Sequence, residues 1–146
     1  MLRATATSRT QHVVLRRLAD ELVALLHDPS QLDGRSVHEA LRRIGHALKQ
    51  HSQMEVEGMY PRLLSHPDEE IRALAAKMIH RIKDVYDGFV TFQDAWTPER
   101  IRSNPDTFVK QARFVVDALH ETTTREEEAL YARVDAAFEA LDPESK

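Results

Sequence analysis

The stretch from His51 to Leu63 is written a second time, in altered form, from Thr122 to Val134, and a chain built twice from one helical hairpin has few ways to fold. With residue 51 set on residue 122, acids meet acids at Glu55/Glu126 and Glu57/Glu128. An apolar pair follows at Met59/Leu130, then Tyr60/Tyr131, Arg62/Arg133 and Leu63/Val134. The preceding segments match as well. Apolar residues follow His12 at offsets 3, 6, 7 and 10, and they follow Ile79 at the same offsets. That spacing keeps one face of a helix apolar.

Start and stop signals divide the chain into four helices. Ser8 and Gln11 stand three apart, as the members of a capping box do, ahead of Leu15, Leu18 and Leu22, and predict a helix to about His27. Asp28-Pro29-Ser30 and Asp33-Gly34 break the pattern, and Ser36 with Glu39 forms a second box opening a helix to about Leu64. Pro61 removes a backbone donor inside that helix and predicts a kink or an early end. Pro67 followed by Asp68, Glu69 and Glu70 suits the positive end of a third helix, to about Asp94. Thr97-Pro98-Glu99 predicts a short helical turn, and Asn104-Pro105-Asp106 opens a fourth helix to about Leu141. Four Gly and six Pro in 146 residues suit long helices, and no strand pattern competes. The expected fold is all-α: an antiparallel up-and-down four-helix bundle forming one domain over residues 1–146, with its core at about 8–141.

Polar residues interrupt the predicted core face. Helix two turns Val37, Leu41, Ile44, Leu48 and Met59 to one side, and His51 and Glu55, four apart, fall on the same stripe. In helix four, Glu126 aligns with Phe108, Val115, Leu119 and Leu130, and Thr122 lies one turn before it. His12 sits at the edge of the first stripe. Imidazole and carboxylate are costly to bury unpaired, so two readings stand: metal ligands facing into a bundle, or a buried hydrogen-bonded network. With no Cys in the chain, any metal site must use His and carboxylates.

His51-x-x-x-Glu55 followed by Met59-Tyr60-Pro61, with His12 in the first helix, resembles the hemerythrins and hemerythrin-like HHE domains, and the likeness covers nearly the whole chain. The resemblance implies a bundle with a metal site between two hairpins, and its ligand positions fall here on His12, His51, Glu55 and Glu126. The second half departs from the pattern. Thr122 stands where the family has a fourth-helix His, and Ile79 where it has a third-helix His. His80, one residue off, and His120, two residues before Thr122, are weaker candidates that a local π-bulge would have to rotate inward. What the resemblance implies is a non-enzymatic metal-binding protein in iron handling or in oxygen or redox sensing. Iron, as one ion or an incomplete di-iron pair, is the expected cofactor, with Mn and Zn as further candidates. The alternative is a structural or partner-binding bundle that has kept the fold and holds no metal.

The remaining features narrow the field. Twenty Lys and Arg against 24 Asp and Glu give a formal charge of -4, and the basic residues come only as pairs such as Arg16-Arg17, so no nucleic-acid groove is expected. No apolar run is long enough to span a bilayer and no signal-peptide stretch is recognised, so a cytoplasmic protein is expected. A homodimer is left open. No Gly-rich phosphate loop, nucleophile elbow or dinucleotide fingerprint suggests an enzyme. Tyr60 and Tyr131, about 120° to 140° from the stripe centres of an α-helix, are expected at helix borders, outside any chemistry. Trp96 is expected to plug one end of the bundle and Phe89, Phe92, Phe108 and Phe114 to lie in the core. His27, His38, His46 and His66 are expected at the surface or its edge.

Overall fold

Residues 5–141 are described in a computed structural model of the chain. Among them are seven α-helical stretches, one 3-10 turn, two π-helical turns and no strand. The chain runs through α1 (Ala6–Leu25), the 3-10 turn Pro29–Gln31, and α2 (Gly34–Met54). The π turn Glu55–Met59 then leads into α3 (Tyr60–Leu64). After a short connection come α4 (Glu69–Ala95), α5 (Pro98–Ser103) and α6 (Pro105–Arg125). The π turn Glu126–Tyr131 and α7 (Ala132–Leu141) complete the chain. The second and fourth expected helices are thus each divided by a π turn, and the expected short turn at Pro98 is α5.

Local chemistry sets most of these boundaries. Asp33 caps α2, its carboxylate accepting the Arg35 and Ser36 amides at 3.1 and 3.5 Å. Asp68 accepts the Glu70 amide at 2.9 Å to start α4, and Thr97 accepts that of Arg100 at 3.2 Å to start α5. Asn104 precedes α6 without a side-chain cap. The two expected capping boxes are corrected: Ser36 and Glu39 lie within α2, and Ser8 is buried inside α1, which begins at Ala6. The first helix is instead fastened through Thr5, whose amide and hydroxyl donate to the Asp135 carboxylate at 3.1 and 2.9 Å, with Arg9 joining at 3.3 Å.

The π turns fall at equivalent places in the duplicated hairpins. At the first, the Tyr60 amide reaches back five residues to the Glu55 carbonyl, just before Pro61, which has no amide to offer. At the second, Ala132 occupies the position equivalent to Pro61 and the same turn forms. What both share is a Glu followed five residues later by a Tyr.

α1 packs on α2, α2 on α4, α4 on α6, and α6 against α1. Two apolar clusters fill the interior. One gathers Leu22, Leu41, Ile44, Trp96, Ile101 and Phe108. The other gathers Leu63, Ile71, Ala75, Met78, Leu130 and Val134. Each such large side chain contributes about 1.5–3 kcal/mol by leaving water. Trp96 is buried as expected, donating its indole N–H to Gln111 at 3.0 Å while the Arg100 guanidinium lies 4.0 Å above its ring. Two expectations are corrected: Phe114 is 75% exposed, and His66 is buried, its Nδ1 accepting the Asp68 amide at 3.0 Å. Following α2 and the π turn from Leu48 to Tyr60, the chain leaves one cluster and enters the other through His51 and Glu55, so polar residues lie at the junction. Among the described residues no helix is long and apolar enough to cross a membrane.

Candidate metal centre

His12 from α1, His51 from α2, Glu55 at the first π turn and Glu126 at the second are all buried. One ligand atom from each of His12, His51 and Glu126 lies within 4.8 Å of the other two. His12 Nε2 is 2.8 Å from Glu126 Oε1 and 3.1 Å from His51 Nε2. His51 Nε2 is in turn 2.7 Å from Glu55 Oε1 and 3.5 Å from Glu126 Oε1. Glu55 therefore joins through His51, outside the tight group of three.

A second layer orients these groups. Gln11 Oε1 accepts from His51 Nδ1 at 2.7 Å, which turns the Nε2 of that ring toward the cluster. His12 Nδ1 lies 3.3 Å from Glu127 Oε1 without the alignment of a hydrogen bond, and Glu127 is itself held by Arg16 at 3.1 Å. Tyr60 donates its phenol proton to Glu126 Oε2 at 3.0 Å, and Tyr131 donates to Glu55 Oε2. The Tyr131 hydroxyl is also 3.3 Å from His12 Nε2.

The electrostatics follow from burial and pairing. Burial alone would lower the His51 pKa, but its close pairing with the Glu126 and Glu55 carboxylates outweighs that and pushes it up to about 9. For Glu126, burial raises the carboxyl, and the hydrogen bond with His12 and the nearby His51 imidazole overcome this to hold it at about 2. Glu55 is raised, chiefly by burial. Burial, with the nearby Glu126 and Glu55 carboxylates, also lifts both phenols far above their ordinary range, so Tyr60 and Tyr131 remain proton donors.

The donor set fits a cation. Two imidazole nitrogens 3.1 Å apart, each beside a carboxylate oxygen, bring together more lone pairs than one or two protons can satisfy. Glu55 Oε1 is buried without an aligned hydrogen bond although His51 Nε2 is only 2.7 Å away. The distance alone is that of an ion pair, but the angle decides whether a proton is shared, and here it is not. A divalent ion satisfies such converging lone pairs, and imidazole with carboxylate suits iron, manganese or zinc.

Of the six candidate ligands from the sequence, the structure brings His12, His51 and Glu126 together, with Glu55 against His51. It does not bring His80 or His120 to them. His80 is exposed, and His120 is half-buried with its Nε2 3.9 Å from Asp20. Neither π turn rotates these imidazoles inward: none falls within α4, which carries His80, and the second begins only at Glu126, past His120. Thr122 lines a small cavity of about 20 Å³ beside His51 and Glu126, among Ile82, Val85 and Leu119.

Tyr60 and Tyr131 are corrected outright: both are fully buried and bonded to the carboxylates. In an α-helix a residue five places on faces away, whereas a π turn returns it to the same face. The signal available in the sequence was the Glu–Tyr spacing of five, occurring twice at matched positions.

No curated protein and no solved structure matches the chain. The family model described as hemerythrin HHE cation binding domain matches residues 3–134. The chain therefore belongs to the hemerythrin HHE cation-binding family.

Proposed function

We propose that this protein is a non-enzymatic metal-binding domain that holds one iron ion at the His12–His51–Glu126 cluster, with Glu55 as a fourth ligand. The observation that carries this reading is the convergence of buried imidazole and carboxylate atoms within 4.8 Å, beside a Glu55 oxygen that has no aligned hydrogen bond. In the proposal, α1, α2, α4 and α6 with their extensions are the four rods of one antiparallel up-and-down bundle, which would supply ligands from three directions. His12 and His51 serve as neutral nitrogen ligands, Glu126 and Glu55 as anionic ones, and Gln11 fixes the His51 tautomer. A bound iron ion supplies a redox couple, which suits a role in iron handling or in sensing oxygen or redox state. The surrounding apolar clusters keep bulk water from the ligands, so the protein side of the site is pre-formed.

A second reading is favoured by one observation. Without any ion, Tyr60–Glu126, Tyr131–Glu55 and His12–Glu126 already form a bonded network, which could hold a purely structural or partner-binding bundle together. Elemental analysis separates the two. Protein purified without a chelating tag or chelator is expected to carry close to one iron per chain, and the His51→Ala/Glu55→Ala double variant almost none. Less than about a tenth of an ion per chain, with reconstitution also failing, selects the structural network, since a buried site that binds metal with the affinity of a structural site retains it through purification.

A further inference from the structure

The two phenols reach across the duplication. Tyr60 of the first hairpin donates to Glu126 of the second at 3.0 Å, and Tyr131 of the second donates to Glu55 of the first. Each phenol takes the outer oxygen, Oε2, of its carboxylate. The inner oxygens face imidazoles: Glu126 Oε1 is 2.8 Å from His12 Nε2, and Glu55 Oε1 is 2.7 Å from His51 Nε2. Neither carboxylate has both oxygens to give.

We propose that Tyr60 and Tyr131 are positioning residues that restrict Glu55 and Glu126 to one oxygen each at a single cation and cap the oxygens that a second cation would need. The proposal rests on the metal-binding reading above. To bridge through both its oxygens a carboxylate must offer each to an ion, and here a second ion would have to compete with a buried phenol proton at one oxygen of each. The second hairpin offers no replacement donors at the equivalent positions, which are Ile79 and Thr122. The cavity beside Glu126 on that side has room for about one water and is walled largely by Leu15, Leu48, Ile82, Val85 and Leu119. Because each tyrosine comes from the opposite hairpin to its glutamate, the clasp also ties the ligand positions of the two halves together.

Cobalt(II) titration of the metal-free protein tests this, because its visible absorption reports coordination number and is stronger for four ligands than for six. Wild type is expected to bind one Co(II) per chain. Tyr60→Phe and Tyr131→Phe, and the double variant, are expected to keep the helical circular dichroism. Their Co(II) affinity should fall about 10- to 100-fold, as on loss of other groups that orient metal ligands. Their absorption per ion should weaken as a freed carboxylate oxygen joins the ion. Affinity within twofold of wild type together with a superimposable spectrum would overturn the positioning role while leaving the metal site standing. Two Co(II) per wild-type chain would overturn the capping role. A wild type that takes up none defeats the metal-binding reading itself, and the clasp with it. If the double variant loses helicity, the two single variants decide by the same criteria.

Discussion

At the positions that the duplication makes equivalent, the first hairpin places His12, His51, Glu55 and Tyr60, and the second places Ile79, Thr122, Glu126 and Tyr131. Both halves carry the glutamate and the tyrosine, and only the first carries the imidazoles. The shared pair is the one that works reciprocally, each tyrosine bonding the other half's glutamate, so losing either member would leave a buried polar group unsatisfied in the opposite hairpin. The imidazoles have no such reciprocal partner. Where they are absent, Ile79 packs against the second apolar cluster and Thr122 lines a mostly apolar cavity. One hairpin can therefore lack the imidazoles while its π turn still matches that of the other.

The sharpest way to break the comparison is to make the first half resemble the second. His12→Ile removes the imidazole 2.8 Å from Glu126 and leaves that carboxylate under-paired in the interior. The expected loss is about 3–5 kcal/mol in urea unfolding of the metal-free protein, together with loss of metal uptake. A loss below about 1 kcal/mol would mean that the network does not depend on His12. The converse change, Thr122→His, forces an imidazole into a cavity of about 20 Å³. Overpacking should cost about 1–3 kcal/mol, and metal content should stay at one ion per chain. A rise toward two ions would show that the second half lacks only its donor.

Smaller effects test whether the apolar cluster and the polar junction are separable. Ile44→Val, in the cluster around Trp96, should cost about 0.5–1.5 kcal/mol and leave metal affinity unchanged. The smallest effect compares helix starts. Hydrogen bonds from Ser36, then Arg35, hold the Asp33 carboxyl below its usual 3.8, whereas Asn104 gives α6 no side-chain cap. A depressed carboxyl stabilises the folded state fully above its unfolded pKa and loses that contribution as pH falls through the lower folded value. Amide protection factors at Arg35 and Ser36 should therefore drop on acidification below 3.8, while the first turn of α6 shows no matching change.

Much of this was legible in the residues. Helical periodicity located the long helices and put His51, Glu55 and Glu126 on the buried face, because burial follows the 3.6-residue period wherever the helix is regular. The reading failed where the helix is not regular. Tyr60 and Tyr131 lie five residues after their glutamates, a spacing that faces outward in an α-helix and inward through a π turn. Helix starts were misplaced for a different reason: Ser8 and Ser36 match a capping pattern, but Thr5 and Asp33 sit earlier and are bonded through their side chains, Thr5 to Asp135 and Asp33 to the first turn of α2. Phe114, six residues after the buried Phe108, is on the outer face of α6 by the same periodicity, and aromatic character was a poorer guide than position. His66 lies in a connection, where no periodicity reports burial.

The fastening of Thr5 to Asp135 joins residues 130 apart, and the bond between His12 and Glu126 joins residues 114 apart. Contacts this distant in sequence close late, after the local turns have formed, because the intervening loop must be ordered first. On the ribosome the first hairpin is made well before Glu126 and Asp135 leave the exit tunnel, and until then His12 and His51 have no second carboxylate to meet. The centre is thus assembled only after Glu126 has emerged. A nascent chain interrupted before Glu126 lacks both the last candidate ligand and the tie through Asp135 that holds the first helix in place.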